Sequence, residues 1–290
     1  MPLSSLVLTE NHLSRSGVFN AATQARPYNR LYFNLPGSLV GNKIALQKLN
    51  LYYSWPNISN NNNTFSISWP TSTATYTNVN VTIPNNYNLA SVDELNAYLQ
   101  TIMIANKMYV YETANPTNFL YYMQFISNPN TYGISLILNL VPTSLPSGYT
   151  APAGFIGWPT VSRTMKFTTD ASKFNLLIGY DASSVFNGNT SATTYVSSFT
   201  PSFSPVNTIL LRCSHSNNPM ALNNDSNVIY SFTTKGTTYG SLIEIEPQNL
   251  VYYTIATTSN VLIIDFVDQD YTGLQILDYG ISILLLVNDE

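Results

Sequence analysis

A mostly-β sandwich carrying an inserted segment of mixed α and β structure is the fold class this sequence predicts, on three observations. First, Val228 to Val287 reads as five strands in close succession, 228–233, 242–246, 250–255, 261–267 and 281–287, rich in Val, Ile, Tyr, Phe and Thr. Turn-forming Lys-Gly, Pro-Gln, Ser-Asn and Tyr-Gly pairs divide them. Second, the last two runs, VLIIDFV and ISILLLV, are apolar on both parities of a two-residue period, which predicts central strands covered on both faces. Third, helical periodicity is confined to the middle of the chain.

Taken in order, residues 1–41 are short apolar pieces broken by Ser, Asn, Pro27, Pro36 and Gly37, and read as an extended arm. KIALQKLNLYYSW then switches parity. Ile44, Leu46 and Lys48 share one face, whereas Leu49, Leu51 and Tyr53 share the other, so a bulge or bend near Lys48 is needed to bring both apolar sets inward. Four consecutive asparagines, 60–63, mark an exposed loop tip. Thr75–Ile83 alternates as a strand. Ser91-Val92-Asp93-Glu94 has the form of a capping box, followed by Leu95, Tyr98, Leu99, Ile102 and Met103 on one helical face and Asn106 as the helix end. Strands are predicted at 108–113, 119–126 and 132–140, then a Pro/Gly-rich loop over 142–159 and a strand at 165–169. Asp170 is placed to cap a short helix bearing Phe174, Leu177 and Ile178, which Gly179 ends. The Ser/Thr/Asn/Gly run at 181–198 reads as an exit linker, and Val206–Ser214 returns to the sandwich. The expected division is an arm over 1–41, a sandwich from 42–60 and 200–290, and an inserted upper domain over 61–199.

Charged residues make up 9% of the chain, against about 25% in ordinary soluble domains. Surface charge usually keeps a monomer dispersed, so a chain this neutral is more easily explained if partners cover much of it. The charge is also polarised. Residues 1–50 hold Arg15, Arg26, Arg30, Lys43 and Lys48 against Glu10, a net +4, whereas residues 225–290 hold nine carboxylates against Lys235, a net −8. Attraction between neighbouring copies, or between the arm and its own sandwich, follows from this polarity. Four net charges are too few for a nucleic-acid tail. The apolar runs fall short of the ~20 residues of a membrane span, the N-terminus lacks the pattern of a secretory signal, and the single cysteine, Cys213, makes a reducing compartment the default.

Little in the sequence points to catalysis. His12 lies in the arm, and His215 follows Cys213 in RCSHSNNP without the second ligand pair that structural zinc requires. Burial of a lone thiol is the simpler expectation. Asp265, Asp268 and Asp270, with Asp278 nearby, have the oxygen density to suit Ca²⁺ but lack the D-x-D-x-D-G loop. Turn formation after a strand is the other reading, and Asp265, on a face with Val261, Ile263 and Val267, is expected near the sheet end or beside an Arg or Lys. Phosphate-loop, dinucleotide, nucleophile-elbow and zincin motifs are absent. The expectation is a non-enzyme with no cofactor, no metal and no catalytic residues. A sugar-binding β-sandwich, a lectin or fibre head stacking Trp55, Trp69 or Trp158 on its ligand, competes with packing of those tryptophans at strand ends.

Four segments, in order, carry a family resemblance: KIALQKLNLYYSWPNIS, VTIPNNYNLASVDELNAYLQ, NVIYSFTTKGTTYGSLIEIEPQ and VLIIDFVDQDYTGLQILDYGISILLLV. Together they cover over a quarter of the chain. Their order and spacing resemble the penton, or minor capsid, proteins of virophages and polinton-like viruses. The resemblance implies a single jelly-roll β-sandwich with an inserted α+β upper domain. It also implies a homopentamer at capsid vertices beside double jelly-roll trimers of the major capsid protein, within virions assembled in host cytoplasm. A host receptor met through the insertion is a further partner class compatible with it. The resemblance brings no catalytic residues.

Overall fold

The computed structural model describes residues 3–9, 13–15, 30–35, 39, 42–85, 87–169, 172–203, 206–214, 216–217, 227–234, 236–255, 260–278 and 280–288. The chain forms two compact units, one from Met1–Trp55 with Val206–Glu290 and the other from Pro56–Pro205. The first unit opens with β1 (Leu3–Thr9), β2 (Leu13–Arg15), β3 (Arg30–Asn34) and β4 (Lys43–Tyr52). The second holds β5 (Thr64–Pro70), β6 (Tyr76–Thr82), α1 (Val92–Ala105), β7 (Val110–Glu112), β8 (Phe119–Leu120), β9 (Met123–Asn128), β10 (Gly133–Leu138) and β11 (Leu140–Val141). It continues with β12 (Tyr149–Thr150), β13 (Arg163–Thr164), β14 (Lys166–Thr168), α2 (Ser172–Leu177) and β15 (Thr193–Val196). The first unit resumes with β16 (Ile209–Cys213), β17 (Ser216–Asn217), β18 (Val228–Phe232), β19 (Leu242–Ile245), β20 (Tyr253–Ile255), β21 (Val261–Asp268) and β22 (Ser282–Asn288).

In the first unit, one sheet runs β1-β22-β4-β20-β17 with β19 also on β4, and the other runs β18-β16-β21-β3-β2. Following β1, β3, β4, β16, β18, β19, β21 and β22 along the chain gives β1-β22-β4-β19 in one sheet and β3-β21-β16-β18 in the other, the strand order of a jelly roll. Of the residues read as an arm, the described stretches 3–9, 13–15 and 30–34 are therefore sheet. β1 pairs with β22 from Leu3↔Asn288 to Thr9↔Ser282, β3 pairs with β21, and Leu8, Leu31 and Phe33 are buried in the core. Ser, Asn and Pro interrupt the apolar positions of this region in sequence, so the alternation is hard to see until the partner strands are present.

β4 carries the bulge that its parity switch requires. Leu284 pairs with Lys48 but Leu285 pairs with Leu46, leaving Gln47 unpaired and exposed. Ile44, Leu46, Leu49 and Leu51 all end up buried as a result. β21 and β22 are central, as their composition predicts, but they are not sealed on both sides. Leu262, Ile264, Phe266, Ile283, Leu285 and Val287 are buried, whereas Val261, Ile263, Leu284 and Leu286 on the opposite faces are half-buried. The 250–255 strand is shorter than its apolar run, because Leu250 and Val251 lie exposed in the preceding loop.

The second unit has its own core, built on the rings of Phe65, Phe125, Phe167, Phe174, Phe186 and Trp69. α1 buries Val92, Leu95, Leu99 and Met103, with Tyr98 and Ile102 half-buried, which is the face its spacing predicts. Ser91 Oγ accepts the Glu94 N–H at 3.1 Å, and the Glu94 carboxylate turns back to the Ala90 N–H at 2.7 Å, one residue before the usual partner in a capping box. At the other end Lys107 N–H donates to Ile104 O and Met108 N–H to Met103 O, with Lys107 at φ 57° in the position glycine commonly takes. Gly179 follows α2 at φ 82°, and a Cβ there would lie 2.4 Å from Phe199 O. Asp170, the expected cap of α2, lies outside the described residues.

Three sequence expectations change in this unit. The 119–126 run divides into β8 and β9, and the supposed linker contains β15, which pairs with β10 through Leu136↔Tyr195 and Ile137↔Thr194. The asparagine run is not all loop tip. Asn60 and Asn61 are exposed, but Asn63 is buried and donates to Ile83 O at 3.1 Å and Asn85 Oδ1 at 3.0 Å.

Candidate functional site

The aspartates that suggested a cation are held separately. Asp265 lies across from Arg30 in register, and the guanidinium grips it twice, Nε to Oδ1 at 2.7 Å and Nη2 to Oδ2 at 3.3 Å. Asp268 closes the β21 turn by accepting the Asp270 N–H at 2.9 Å and the Thr272 N–H at 2.8 Å. Asp278 accepts from the N–H groups of Tyr52 and Gly280, each at 2.6 Å. Asp268 and Asp278 fix backbone and Asp265 holds a side chain, and among the described residues no cluster of three or more His, Cys, Asp or Glu side chains is placed to hold a metal. Cys213 is fully buried in β16. His12 and His215 lie outside the described residues.

The tryptophans pack. Trp69 is fully buried and donates Nε1 to Gly157 O at 2.8 Å, Trp55 is buried against Tyr53, and Trp158 is half-buried with its ring 4.5 Å from that of Phe155. One aromatic patch that does reach the surface was missed by sequence reasoning, with Phe119 resting on buried Tyr109 at 5.1 Å and on half-buried Tyr121 at 6.2 Å. Spacing gave no signal for it, because the three rings come from neighbouring short strands and turns. Beside α2, a cavity of about 260 Å³ is lined by Phe167, Thr168, Asn175, Ser183, Ser184 and Val185. Asn175 Nδ2 donates to the carbonyls of Ala182 and Ser184 while its buried Oδ1 has no partner. Its neutral lining suits a water or another neutral donor rather than acid–base chemistry.

The outward faces of the two jelly-roll sheets carry apolar side chains that the core does not explain. On the first sheet Val7 (50% exposed) lies across from Leu284, and Tyr52 (45%) lies across from Leu242 (46%), with Leu286 half-buried alongside. Among them Lys48 Nζ lies 2.7 Å from Glu246 but 3.9 Å from Glu244. On the second sheet Leu210, Tyr32, Val261 and Ile263 are half-buried around the Arg30–Asp265 pair. Arg212 lies across from Asp265 on its other side, yet its buried Nε has no hydrogen-bond partner. The charge polarity of the sequence is thus partly satisfied inside the chain, since Arg30 and Lys48 both pair with carboxylates of the C-terminal strands. Among the described residues no helix is long and apolar enough to cross a membrane.

No protein-family model matches this chain, and no curated protein is similar to it. Among solved structures, the crystal structure of selenomethionine-labelled mavirus penton protein is similar over 99% of this chain and 98% of that one, at a TM-score of 0.40 and 11% sequence identity.

Proposed function

We propose that this chain is a structural subunit of a viral capsid, a penton that forms a homopentamer at icosahedral vertices beside double jelly-roll trimers of the major capsid protein. In this reading Pro56–Pro205 is the upper domain inserted into the jelly roll and the segment open to a host receptor, and the virion assembles in host cytoplasm. The observation that carries the reading is the pair of incompletely covered sheet faces. Val7, Leu284 and Leu286 on one side, and Val261 and Ile263 on the other, are apolar where a monomer would face water. A chain with 9% charged residues has little with which to offset such faces, and a repeated assembly covers them. The family-like order of sequence segments supports the same reading. The sugar-binding alternative loses its motivation with the packing of the three tryptophans.

Light scattering over a protein-concentration series tests the proposal. The expected result is a species of roughly 160 kDa, five chains of 32.2 kDa, growing with concentration, with fivefold density in particles attributable to this chain. A stable dimer or trimer without that density overturns it.

A further inference from the structure

We infer that neighbouring copies meet head to tail through their jelly-roll faces, with Glu244 on the first sheet of one copy seated against Arg212 on the second sheet of the next; the inference rests on the assembly reading above. Arg212 is a half-buried cation with a shielded Nε that has no acceptor. The nearest carboxylate in the ladder, Asp265, is already gripped by Arg30 from the opposite side. A guanidinium N–H shielded from water without an acceptor is costly, and the fork of Arg212 is shaped for a carboxylate. Glu244 is the carboxylate that Lys48 holds less closely, at 3.9 Å. Lys48 is drawn to Glu246, and the Glu244 side chain is 59% exposed.

Arg212 sits among apolar side chains, whereas Glu244 lies across from Asn50 and 3.9 Å from Lys48, at the edge of an apolar pair. Arg212 lies across from Val228 with Leu210 two residues away, and Glu244 lies two residues from Leu242, which pairs with Tyr52. An ion pair formed there is partly desolvated by its surroundings and gives the contact register as well as attraction. Because the two patches lie on different sheets of the same chain, the contact is heterologous. Repetition produces a ring if the rotation closes and a filament if it does not.

The test is a charge exchange on the full chain, read by sedimentation over a concentration series. Arg212→Glu and Glu244→Arg singly are expected to weaken self-association by about tenfold or more, and the double exchange to recover most of it. Should Arg212→Glu fail to fold beside Asp265, Arg212→Gln and the exposed Glu244→Arg give the same reading. A second readout joins Arg212→Cys to Glu244→Cys with a short bis-maleimide, where a ladder of bands ending at five chains is expected and neither single cysteine variant yields one. Wild-type pentamers that tolerate each single exchange and give no ladder overturn this contact and leave the assembly reading standing. A wild-type chain that stays monomeric at all concentrations and is missing from capsid vertices overturns both.

Discussion

At the scale of single residues, two buried tyrosines in the second unit invite opposite expectations. Tyr180 OH donates to Tyr195 O at 2.8 Å and accepts the Leu136 N–H at 3.0 Å, joining β10 to β15 from beneath. Tyr180→Phe removes both of these buried hydrogen bonds and is expected to cost about 1–3 kcal/mol. Tyr122 OH is buried without a partner, so Tyr122→Phe is expected to be neutral or mildly stabilising. Chemical denaturation of the two variants checks the contrast, and equal losses would contradict the hydrogen bonding described. Burial also raises the pKa of both phenols, that of Tyr122 to about 12, and the bond to Glu94 raises that of Tyr87 to about 12. An unfolded tyrosine ionises near 10, so the unfolded chain loses these protons first. The contribution is complete below pH ~10 and is lost as pH rises toward ~12. Unfolding free energies that stay level across that window in Tyr122-containing protein would refute the assignment.

At the scale of elements, β4 shows how one residue reconciles a sequence with a sheet. Its apolar positions change parity between Leu46 and Leu49, and Gln47 absorbs the change as a bulge. Removing Gln47 leaves Leu46 beside Lys48 with unbroken alternation and both apolar sets still inward. The deletion is therefore expected to yield a folded, cooperatively melting protein with modestly lowered stability from lost twist. Removing Asn50 instead turns Leu51 and Tyr53 away from the core and is expected to abolish soluble expression. Thermal melting distinguishes the two, and the reverse outcome would place the bulge elsewhere. The bulge, the face of α1 and the helix-ending Gly179 were legible because each depends on a local period or a single backbone angle. β1 and β3 were not, since a short strand is recognisable only once its partner is known.

At the scale of the whole molecule, the second unit begins and ends within a few residues of a single clamp. Asn57 Nδ2 donates to Leu89 O at 2.7 Å and Phe203 O at 2.6 Å, while its Oδ1 accepts the Leu89 N–H at 2.8 Å. The two units have separate hydrophobic cores. Replacing Pro56–Pro205 with a short Gly/Ser linker is accordingly expected to leave a β-rich remnant that melts cooperatively, because every strand of the jelly roll lies outside the deletion. Circular dichroism of a disordered product would show that the jelly roll depends on the second unit.

The sequence by itself determined the class of fold, the core strands near the C-terminus, the helix of the middle segment and the shortage of surface charge. Each of these is written in local periodicity or in bulk composition, which need no knowledge of distant neighbours. Tertiary structure decided that the N-terminal residues are jelly-roll strands, that Asp265 belongs to Arg30, and that Trp69 is interior. It also decided that the Arg212 Nε is left without an acceptor and that Lys48 holds Glu246 more closely than Glu244. Those outcomes depend on pairs separated by long stretches of chain, Arg30 with Asp265 or Leu3 with Asn288. A residue's own neighbours in sequence do not name the strand that will lie beside it, because the ladder is built from backbone groups common to every residue but proline.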